Sequence, residues 1–483
     1  MNTNQHPTPP SPVITLFERL SNSILIKMFI MLVLILFLFI PLNLISDLIN
    51  ERQQRNELVT DEISSKWSGP QVISGPIIAV PYTYDYNTNL TDDKGKKTIQ
   101  QLQTDVDHIF IVPQTLDIKA EVVPEYRKRG IYRTVVYNST LRLTGNFGEL
   151  DLKKLGVDPE RINWSGAKLF MGMSDTKGLK ENPVGTLAGN KHVFEMNSTD
   201  MQLFERTMVT PIDLSSQSTR QTFDISYTLR GSRSINFFPL ANQNHIVVEG
   251  SWATPSFNGA YLPDSRTVGK DSFSAEWNIP SFDRTIPEQW AGYKGTLYRI
   301  SNNYNIVVDK IPAPELHNEQ LLASEKNLVQ VNFLEAADNY QQTTRATKYG
   351  ILVILLTFAS LIFTEIIKKQ RIHLMQYVLI GCAMVLFYSL LLAFGEHIVF
   401  NWSYLIAAAA TITLISSFIF WITKDRKICL LFSAILAIFY GFIFVLMQLQ
   451  DFSLLAGTVG LFIILAVMMR LSTKINWMQY DAK

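Results

Sequence analysis

The sequence LMQYVLIGCAMVLFYSLLLAFGEHIVFNWSYLIAAAATITLISSFIFWIT, residues 374–423, contains two long apolar runs separated only by Gly395, Glu396 and His397. A helix that crosses a hydrocarbon core of about 30 Å needs roughly 20 mostly apolar residues. Both runs reach that length, and so short a separator makes them antiparallel neighbours. The stretch therefore predicts a membrane-spanning helical hairpin.

Further apolar runs flank this hairpin, at residues 349–364, 428–449 and 452–469. A surface helix of a globular protein would carry a polar stripe, and these runs show almost none. We predict a five-helix transmembrane bundle over residues 348–473, followed by a cytoplasmic tail at 474–483.

The amino-terminal region predicts one more span. Residues 1–21 form a polar tail, and an apolar run within residues 22–45 follows without a small-residue cleavage site. A secretory signal peptide would have a shorter apolar region and such a site, so we interpret the run as an uncleaved signal anchor. The helix is expected to continue to about Trp67, where Gly69 and Pro70 end it.

The positions of Lys and Arg predict the topology. They concentrate in alternate loops, at Lys368, Lys369, Arg371, Lys424, Arg426, Lys427, Arg470 and Lys474. Because cytoplasmic loops are enriched in these residues, both termini are expected to be cytoplasmic and residues 46–347 extracytoplasmic.

The segment 46–347 is dominated by alternation of apolar and polar residues. The clearest examples are residues 115–122, 134–143, 222–229 and 272–279. Period-two alternation is typical of strands with one buried and one wet face. The predicted fold class is an α+β membrane protein: six transmembrane helices, with a large β-rich, sandwich-like extracytoplasmic domain between the first and second.

Charge and cysteine content exclude some classes of protein. The formal net charge of +1 gives no sign of nucleic-acid binding. The two cysteines, Cys382 and Cys429, both lie in predicted spans. The outer domain therefore uses neither disulfides nor thiolate chemistry.

A few polar residues near the ends of spans are candidates for function. Glu396 beside His397 could relay protons or sense pH, and the alternative is a polar turn at the bilayer surface. Glu365 is expected to form an i,i+3 pair with Lys368. Asp451 is expected to cap the last helix.

Two aromatic residues of the outer domain, Trp252 and Phe257, could form an exposed ligand platform, and the alternative is core packing. The sequence contains no zinc-binding His-Glu-x-x-His, no Gly-x-Ser-x-Gly elbow and no phosphate-binding loop. We predict no catalytic residue, metal or cofactor.

Several stretches, in order, resemble one known family. They are WSGPQ at 67–71, RGIY at 129–132, GMSDTKGL at 172–179, SWATPSFNG at 251–259, KYG at 348–350, QY at 376–377 and EHI at 396–398. Together they resemble the CreD family of bacterial inner-membrane proteins. The resemblance implies a Gram-negative origin, a role in cell-envelope integrity and colicin tolerance, and expression under envelope stress through a two-component system. It implies no catalytic residue.

These observations leave three classes of function. The first is a non-enzymatic envelope protein whose outer domain binds a partner, with the lipid bilayer, other envelope proteins and peptidoglycan as the candidates. The second is a transporter or channel component that uses the bundle, and the third is an envelope-modifying enzyme. The sequence does not fix the oligomeric state.

Overall fold

A computed structural model describes residues 24–91, 98–197, 201–214, 218–283, 286–294, 297, 299–300, 306–307, 327–333, 339–368, 373–449 and 452–473. The predicted tails at 1–21 and 474–483 lie outside these residues, as does Asp451. The chain divides into a helical unit, Met1–Glu57 with Ala337–Lys483, and a β unit, Leu58–Ala336.

Helices make up the described helical unit, and all but the short, polar one at Asn339–Lys348 are long and apolar. They are α1 (Ile24–Trp67, which enters the β unit after Glu57), α3 (Asn339–Lys348), α4 (Gly350–Lys368), α5 (Leu374–Gly395), α6 (Phe400–Thr423), α7 (Arg426–Gln448) and α8 (Ser453–Ser472). Local chemistry sets the turn between α6 and α7. Lys424 adopts a left-handed φ of 49°, and the Asp425 carboxylate accepts a hydrogen bond from the Lys427 backbone N–H at 2.8 Å.

In the described part of the chain, four helices are long and apolar enough to cross a membrane, namely α1, α5, α6 and α7. A fifth is added if α3 and α4, which meet at a bend of 42°, count as one span. The sixth predicted span corresponds to α8, whose apolar part, Leu455–Arg470, is shorter. Four or five candidate spans are therefore present.

The first helix packs against the carboxy-terminal helices in one buried core. Leu38 and Leu42 of α1 share this core with Phe358 of α4 and Tyr388 of α5. A Cβ atom built at Gly381 of α5 would lie 2.3 Å from the side chain of Leu38, so the two backbones approach closely there. Small residues allow such approaches between membrane helices.

The described β unit contains two large sheets and a two-stranded one. Its elements are β1 (Gln71–Thr91), β2 (Thr98–Ile111), β3 (Pro113–Arg129), β4 (Tyr132–Phe147), α2 (Leu152–Leu155), β5 (Lys168–Met173), β6 (Val184–Leu187), β7 (Asn190–Val193), β8 (Glu195–Met196), β9 (Arg206–Pro211), β10 (Thr222–Ser232), β11 (Ser234–Phe238), β12 (Gln243–Gly250), β13 (Pro255–Gly259), β14 (Ser265–Val268), β15 (Phe273–Pro280), β16 (Gln289–Ala291), β17 (Arg299–Ile300), β18 (Ile306–Val307) and β19 (Val329–Phe333).

The first large sheet has the order β13-β19-β11-β1-β5-β9-β8, with β2 beside β1 and β16 beside β2. The order of the second is β14-β15-β12-β3-β4-β10-β6-β7. Most pairs are antiparallel, whereas β1 with β11 and β12 with β3 are parallel.

The two sheets enclose a common hydrophobic core. Ile78 of β1 and Phe237 of β11 share it with Ile118 of β3 and Trp277 of β15. A second buried cluster, including Ile77 and other residues of the first sheet, covers that sheet's opposite face. The sandwich arrangement is confirmed, and β1 is buried on both faces from residue 71 to residue 80.

The predicted alternation agrees with burial along the strands. In β3, for example, Leu116 and Ile118 are buried and Asp117 and Lys119 are exposed. Residues 201–206, just before and at the start of β9, form no helix. The Thr207 hydroxyl instead forms hydrogen bonds with the backbone of Phe204 at 3.0 Å, and β9 begins next to this turn.

Candidate functional site

Two of the family-like stretches meet at the end of α1, within the β unit. The buried Gln71 side chain donates from its Nε2 to Ser68 Oγ at 2.7 Å, to the Asp175 carbonyl at 2.9 Å and to the Arg230 carbonyl at 3.2 Å. Its Oε1 accepts from Ser174 Oγ at 3.2 Å. One side chain thus joins the segment after α1 to two distant parts of the domain.

The carboxylate of Asp175 completes this contact. Its Oδ2 accepts from Ser68 Oγ at 3.1 Å and from the Gly69 backbone N–H at 3.2 Å, and its Oδ1 accepts from the Lys177 N–H at 3.0 Å. Both oxygens of Asp175 thus accept hydrogen bonds from protein donors, which fixes the carboxylate in place. We call Ser68, Gln71, Ser174, Asp175 and the Arg230 carbonyl the junction.

Beside the junction, the indole of Trp67 contacts two guanidinium groups. The Cζ atoms of Arg127 and Arg230 are each 4.7 Å from the centroid of the Trp67 ring. Each cation–π contact at a partly exposed site is worth about 0.5–1 kcal/mol. The last residue of α1 is therefore bound to β3 and β10.

Ion pairs join the preceding turns of α1 to other residues of the β unit. Asp61 Oδ1 lies 2.6 Å from Arg233 Nη2, and Glu62 pairs with Arg129. Lys177 Nζ also donates to the carbonyl of Ser65 at 3.3 Å. Surface ion pairs are individually weak, but these act on one short segment together with the stacked indole. The segment 58–67 is thus a fixed part of the β unit.

A second cluster lies on the solvent face of the second sheet. The ring of His245 on β12 lies between two carboxylates, with Nδ1 3.1 Å from Asp117 and Nε2 3.0 Å from Glu276. Hydrogen bonds from His245 and from the hydroxyl of Ser265 hold the pKa of Glu276 below its usual range. An open depression of about 470 Å³ adjoins the cluster.

The geometry of this cluster is that of a cross-link between strands. Both nitrogens of His245 contact carboxylates, which connects β3, β12 and β15. Among the described residues, no group of three or more His, Cys, Asp or Glu side chains is arranged to hold a metal ion.

The predicted polar residues of the helical unit lie in separate contacts. Glu396 is 3.7 Å from Arg52 of α1, and its side chain is 15% exposed. His397 is exposed. Asn339 Nδ2 donates to the carbonyls of Gly395 at 2.7 Å and Ile398 at 3.3 Å, so that α3 holds the turn.

Glu365 has a partner that the sequence did not indicate. The buried Tyr377 of α5 donates from its hydroxyl to Glu365 Oε2 at 2.9 Å. The side chain of Lys368, the expected partner, is outside the described side chains. The hydrogen bond joins α4 to α5 at one end of both helices.

Of the two alternatives for Trp252 and Phe257, the exposed ligand platform is wrong and core packing is found. Trp252 and Phe257 are each 8% exposed and belong to the core between the sheets. Phe257 packs edge-on against Trp277 at 5.8 Å, and Trp252 packs against Phe333 at 6.4 Å. Large aromatic side chains gain more from this burial than from exposure.

Uncharged polar residues face one another between α6 and α7. Gln448 donates to Asn401 at 2.6 Å, Tyr404 donates to the carbonyl of Tyr440 at 2.7 Å, and the hydroxyls of Ser416 and Ser433 are 2.7 Å apart. These contacts recur along the whole helix pair. We call them the polar seam.

Sequence reasoning missed most of these contacts. Gln71 and Asp175 lie within quoted family-like stretches, which was the available signal. Arg127 and Arg230 gave no signal, because only tertiary structure brings them to Trp67.

Comparison with known proteins identifies what the chain is similar to. The model of the family described as "Inner membrane protein CreD" matches residues 23–478. The protein named inner membrane protein CreD from Escherichia coli (strain K12) is 28% identical over 450 residues, which cover 92% of each chain.

Proposed function

Because the chain belongs to the family of the inner membrane protein CreD, we propose that it supports cell-envelope integrity by binding a partner through its β unit, without catalysing a reaction. The same resemblance supports expression under envelope stress and a role in colicin tolerance. The chain is a multi-pass inner-membrane protein.

The main support for this proposal is that α1 begins in the helical unit and ends in the β unit. Its amino-terminal part is a candidate span, whereas its last ten residues belong to the β unit and are held by the junction and by ion pairs. The β unit is thus tethered to apolar helices at both of its ends. Such a tether raises the effective concentration of a binding surface against partners near the membrane.

The proposed topology has six spans, cytoplasmic termini and a periplasmic β unit. The Lys and Arg bias supports it. Reporter fusions after Lys97, Asn339, Lys427 and Lys483 are expected to report outside, outside, inside and inside. An inside result at Asn339 would overturn the scheme.

The non-enzymatic proposal is supported by the way the polar clusters are engaged. Both oxygens of Asp175 and both nitrogens of His245 contact other groups of the protein. Removing a catalytic group costs several orders of magnitude in rate, whereas changes spread over a binding surface have graded effects.

The test is an alanine scan of Ser, His, Asp and Glu in the β unit, with envelope-stress survival and membrane abundance measured in parallel. Graded losses spread over one surface are expected. Complete loss from one or two polar residues in a single cleft, with normal abundance, would show an enzyme instead.

The polar seam favours one alternative, a transporter or channel component. Its members bond one another and are uncharged, which is also typical of packed membrane helices. Substituting Asn401 and Gln448 together by Leu distinguishes a packing role of the polar seam from a role as a conduit. Retained survival fits a packing role, whereas loss of survival with normal abundance fits a conduit.

A further inference from the structure

The hairpin formed by β1 and β2 extends beyond the sheet that holds its base. Residues 82–91 pair with 98–107 through to Thr91 opposite Thr98. Among described residues, the ladder of β1 with β5 stops at Ala79 and that of β2 with β16 covers only residues 109–111. We call residues 82–91 and 98–107 the hairpin arm. Isolated two-stranded ribbons are marginally stable in water, so this one gains from being covered.

Both faces of the arm expose large apolar surface. On one face Tyr84 and Tyr86 are 36% and 40% exposed, with ring centroids 5.9 Å apart, and they follow Tyr82, which is half-buried against the core of the domain. The other face carries Leu102 and Val106, which are 65% and 57% exposed. Contiguous exposed apolar surface of this kind marks an interaction site.

The tyrosine face is also acidic. Asp105 is the cross-strand partner of Tyr84, and Asp107 is that of Tyr82. The described residues of the arm include no Lys or Arg. The arm's third acid, Asp85, is already paired with Arg161 at 2.7 Å. Asp105 and Asp107 therefore give the described part of the arm its remaining negative charge.

Among the described residues, no second strand pairs with β2 at residues 98–107, and two N–H groups near the base of this edge are already engaged. Gly292 N–H donates to the His108 carbonyl at 3.0 Å, so the backbone groups of His108 point away from β1, as do those of Val106 two residues earlier. Asp105 Oδ1 accepts from the Val106 N–H at 2.8 Å and Asp107 Oδ1 from the His108 N–H at 2.7 Å.

The negative charge and the engaged N–H groups of the arm favour some classes of partner over others. A second copy of the arm would bring like charge, and a strand added to the edge would compete with two carboxylates for the N–H groups. Asp107 also accepts from the Tyr293 N–H at 3.1 Å, which keeps its carboxylate at the edge. Arginine and lysine side chains carry hydrogen-bond donors and positive charge. The donors can bind the carboxylates and carbonyls along the edge of β2, and the positive charge is attracted to the faces of the tyrosine rings.

We propose that the hairpin arm binds an extended basic segment of a partner protein. Arg or Lys at alternate positions of that segment stack on Tyr84 and Tyr86 and donate to Asp105 and Asp107. This inference rests on the proposed binding function and names the partner's chemistry.

The distance between alternate side chains of an extended segment agrees with the distance between the tyrosine rings of the arm. Alternate residues of an extended chain are about 6.6–6.8 Å apart, close to the spacing of the tyrosine rings. The protein itself contains the contact in question, since Arg133 Cζ lies 4.7 Å from the centroid of the Tyr126 ring.

The first test uses the full-length protein in lipid nanodiscs and fluorescent peptides that alternate Arg with Thr. Matched peptides carry Glu or Gln in place of Arg. The Arg peptide is expected to bind, more weakly as salt rises, and the Glu peptide is not. The variants Tyr84→Ser with Tyr86→Ser, and Asp105→Asn with Asp107→Asn, should each weaken binding at least about tenfold.

The control variant is Asp224→Asn, a half-exposed acid on the second sheet that is paired with Arg142 at 2.7 Å, which should leave binding unchanged. A wild-type unfolding profile shows that each variant is folded. Equal binding of the Arg peptide to wild type and to both double variants would overturn the proposal, as would equal binding of the Arg and Gln peptides.

A second test in cells separates this inference from the proposed function. A photo-crosslinking residue is placed at Leu102 of the arm or at Asp224. A partner captured from Leu102 through a basic segment, and lost in the Asp105→Asn, Asp107→Asn background, supports the inference. A protein partner captured only from Asp224 leaves the binding function standing and overturns the arm's role. Capture from neither position contradicts both.

Discussion

Substitution of Gln71 by Leu tests the junction most directly. Gln71 is fully buried, and its amide takes part in five hydrogen-bond contacts: the two hydrogens of Nε2 are shared among three acceptors, and Oε1 accepts from two donors. Leu is similar in size but can make none of them. The change therefore leaves polar groups of the junction without a partner in a site closed to water.

The expected cost follows from which groups lose a partner. Ser68 Oγ keeps Asp175, and Ser174 Oγ keeps the carbonyl of Pro70. The carbonyls of Asp175 and Arg230 and the N–H of Asp175 each lose one. Leaving a buried polar group unpaired costs about 1–3 kcal/mol, so we expect about 3–5 kcal/mol in total after relaxation.

The assay is thermal unfolding of the full-length protein in detergent, followed by circular dichroism of the β-sheet signal. At this domain size, 1 kcal/mol lowers Tm by about 2–4 °C, so Gln71→Leu should lower it by about 6–20 °C. Gln71→Glu should cost at least as much, because a carboxylate oxygen would face the carbonyls of Asp175 and Arg230.

The matched control is Gln243→Leu, since Gln243 is an exposed glutamine on β12. Its effect should stay within about 0.5 kcal/mol. A Tm decrease below about 2 °C for Gln71→Leu would show that the junction does not stabilise the β unit.

Further outcomes follow from other sites. The lowered pKa of Glu276 means that its ionised form stabilises the fold above its ordinary pKa and that this contribution is lost as pH falls below it. Glu276→Gln should therefore lose less stability than wild type between neutral and acidic pH, as measured by urea unfolding. Glu396→Ala and His397→Ala are each expected to preserve envelope-stress survival, and loss of survival at normal membrane abundance would refute this. Gly172→Ala should lower Tm by several degrees, because its Cβ would lie 2.2 Å from the Phe204 ring. The Tm of the cysteine-free β unit should not change with reductant.

The helices were predictable because their signal is local. Run length identified α5, α6 and α7, and the expected end of α1 near Trp67 is confirmed. The sequence predicts six spans and four or five candidates are found; the difference includes α8, whose described apolar stretch, Leu455–Arg470, is shorter than the roughly 20 residues that a span needs.

The candidate contacts were less predictable because each depends on residues far apart in the chain. Glu365 lies near the end of α4, where the sequence places it, but its hydrogen bond to Tyr377 requires knowing how α4 packs on α5. Trp252 and Phe257 were recognised as unusual aromatics, but their burial depends on strands of both sheets.

The sequence by itself determined which segments are apolar helices and which face of β3, β4, β10 and β15 is buried, because both follow from periodicity along a few neighbouring residues. Tertiary structure alone decided that β1 pairs in parallel with β11, and that Gln71 meets Asp175 across 104 residues of chain. Many strand partners would satisfy the same alternation. The native choice is the one that fills the core and pairs every polar group of the junction at once, which is a property of the whole domain and of no single segment.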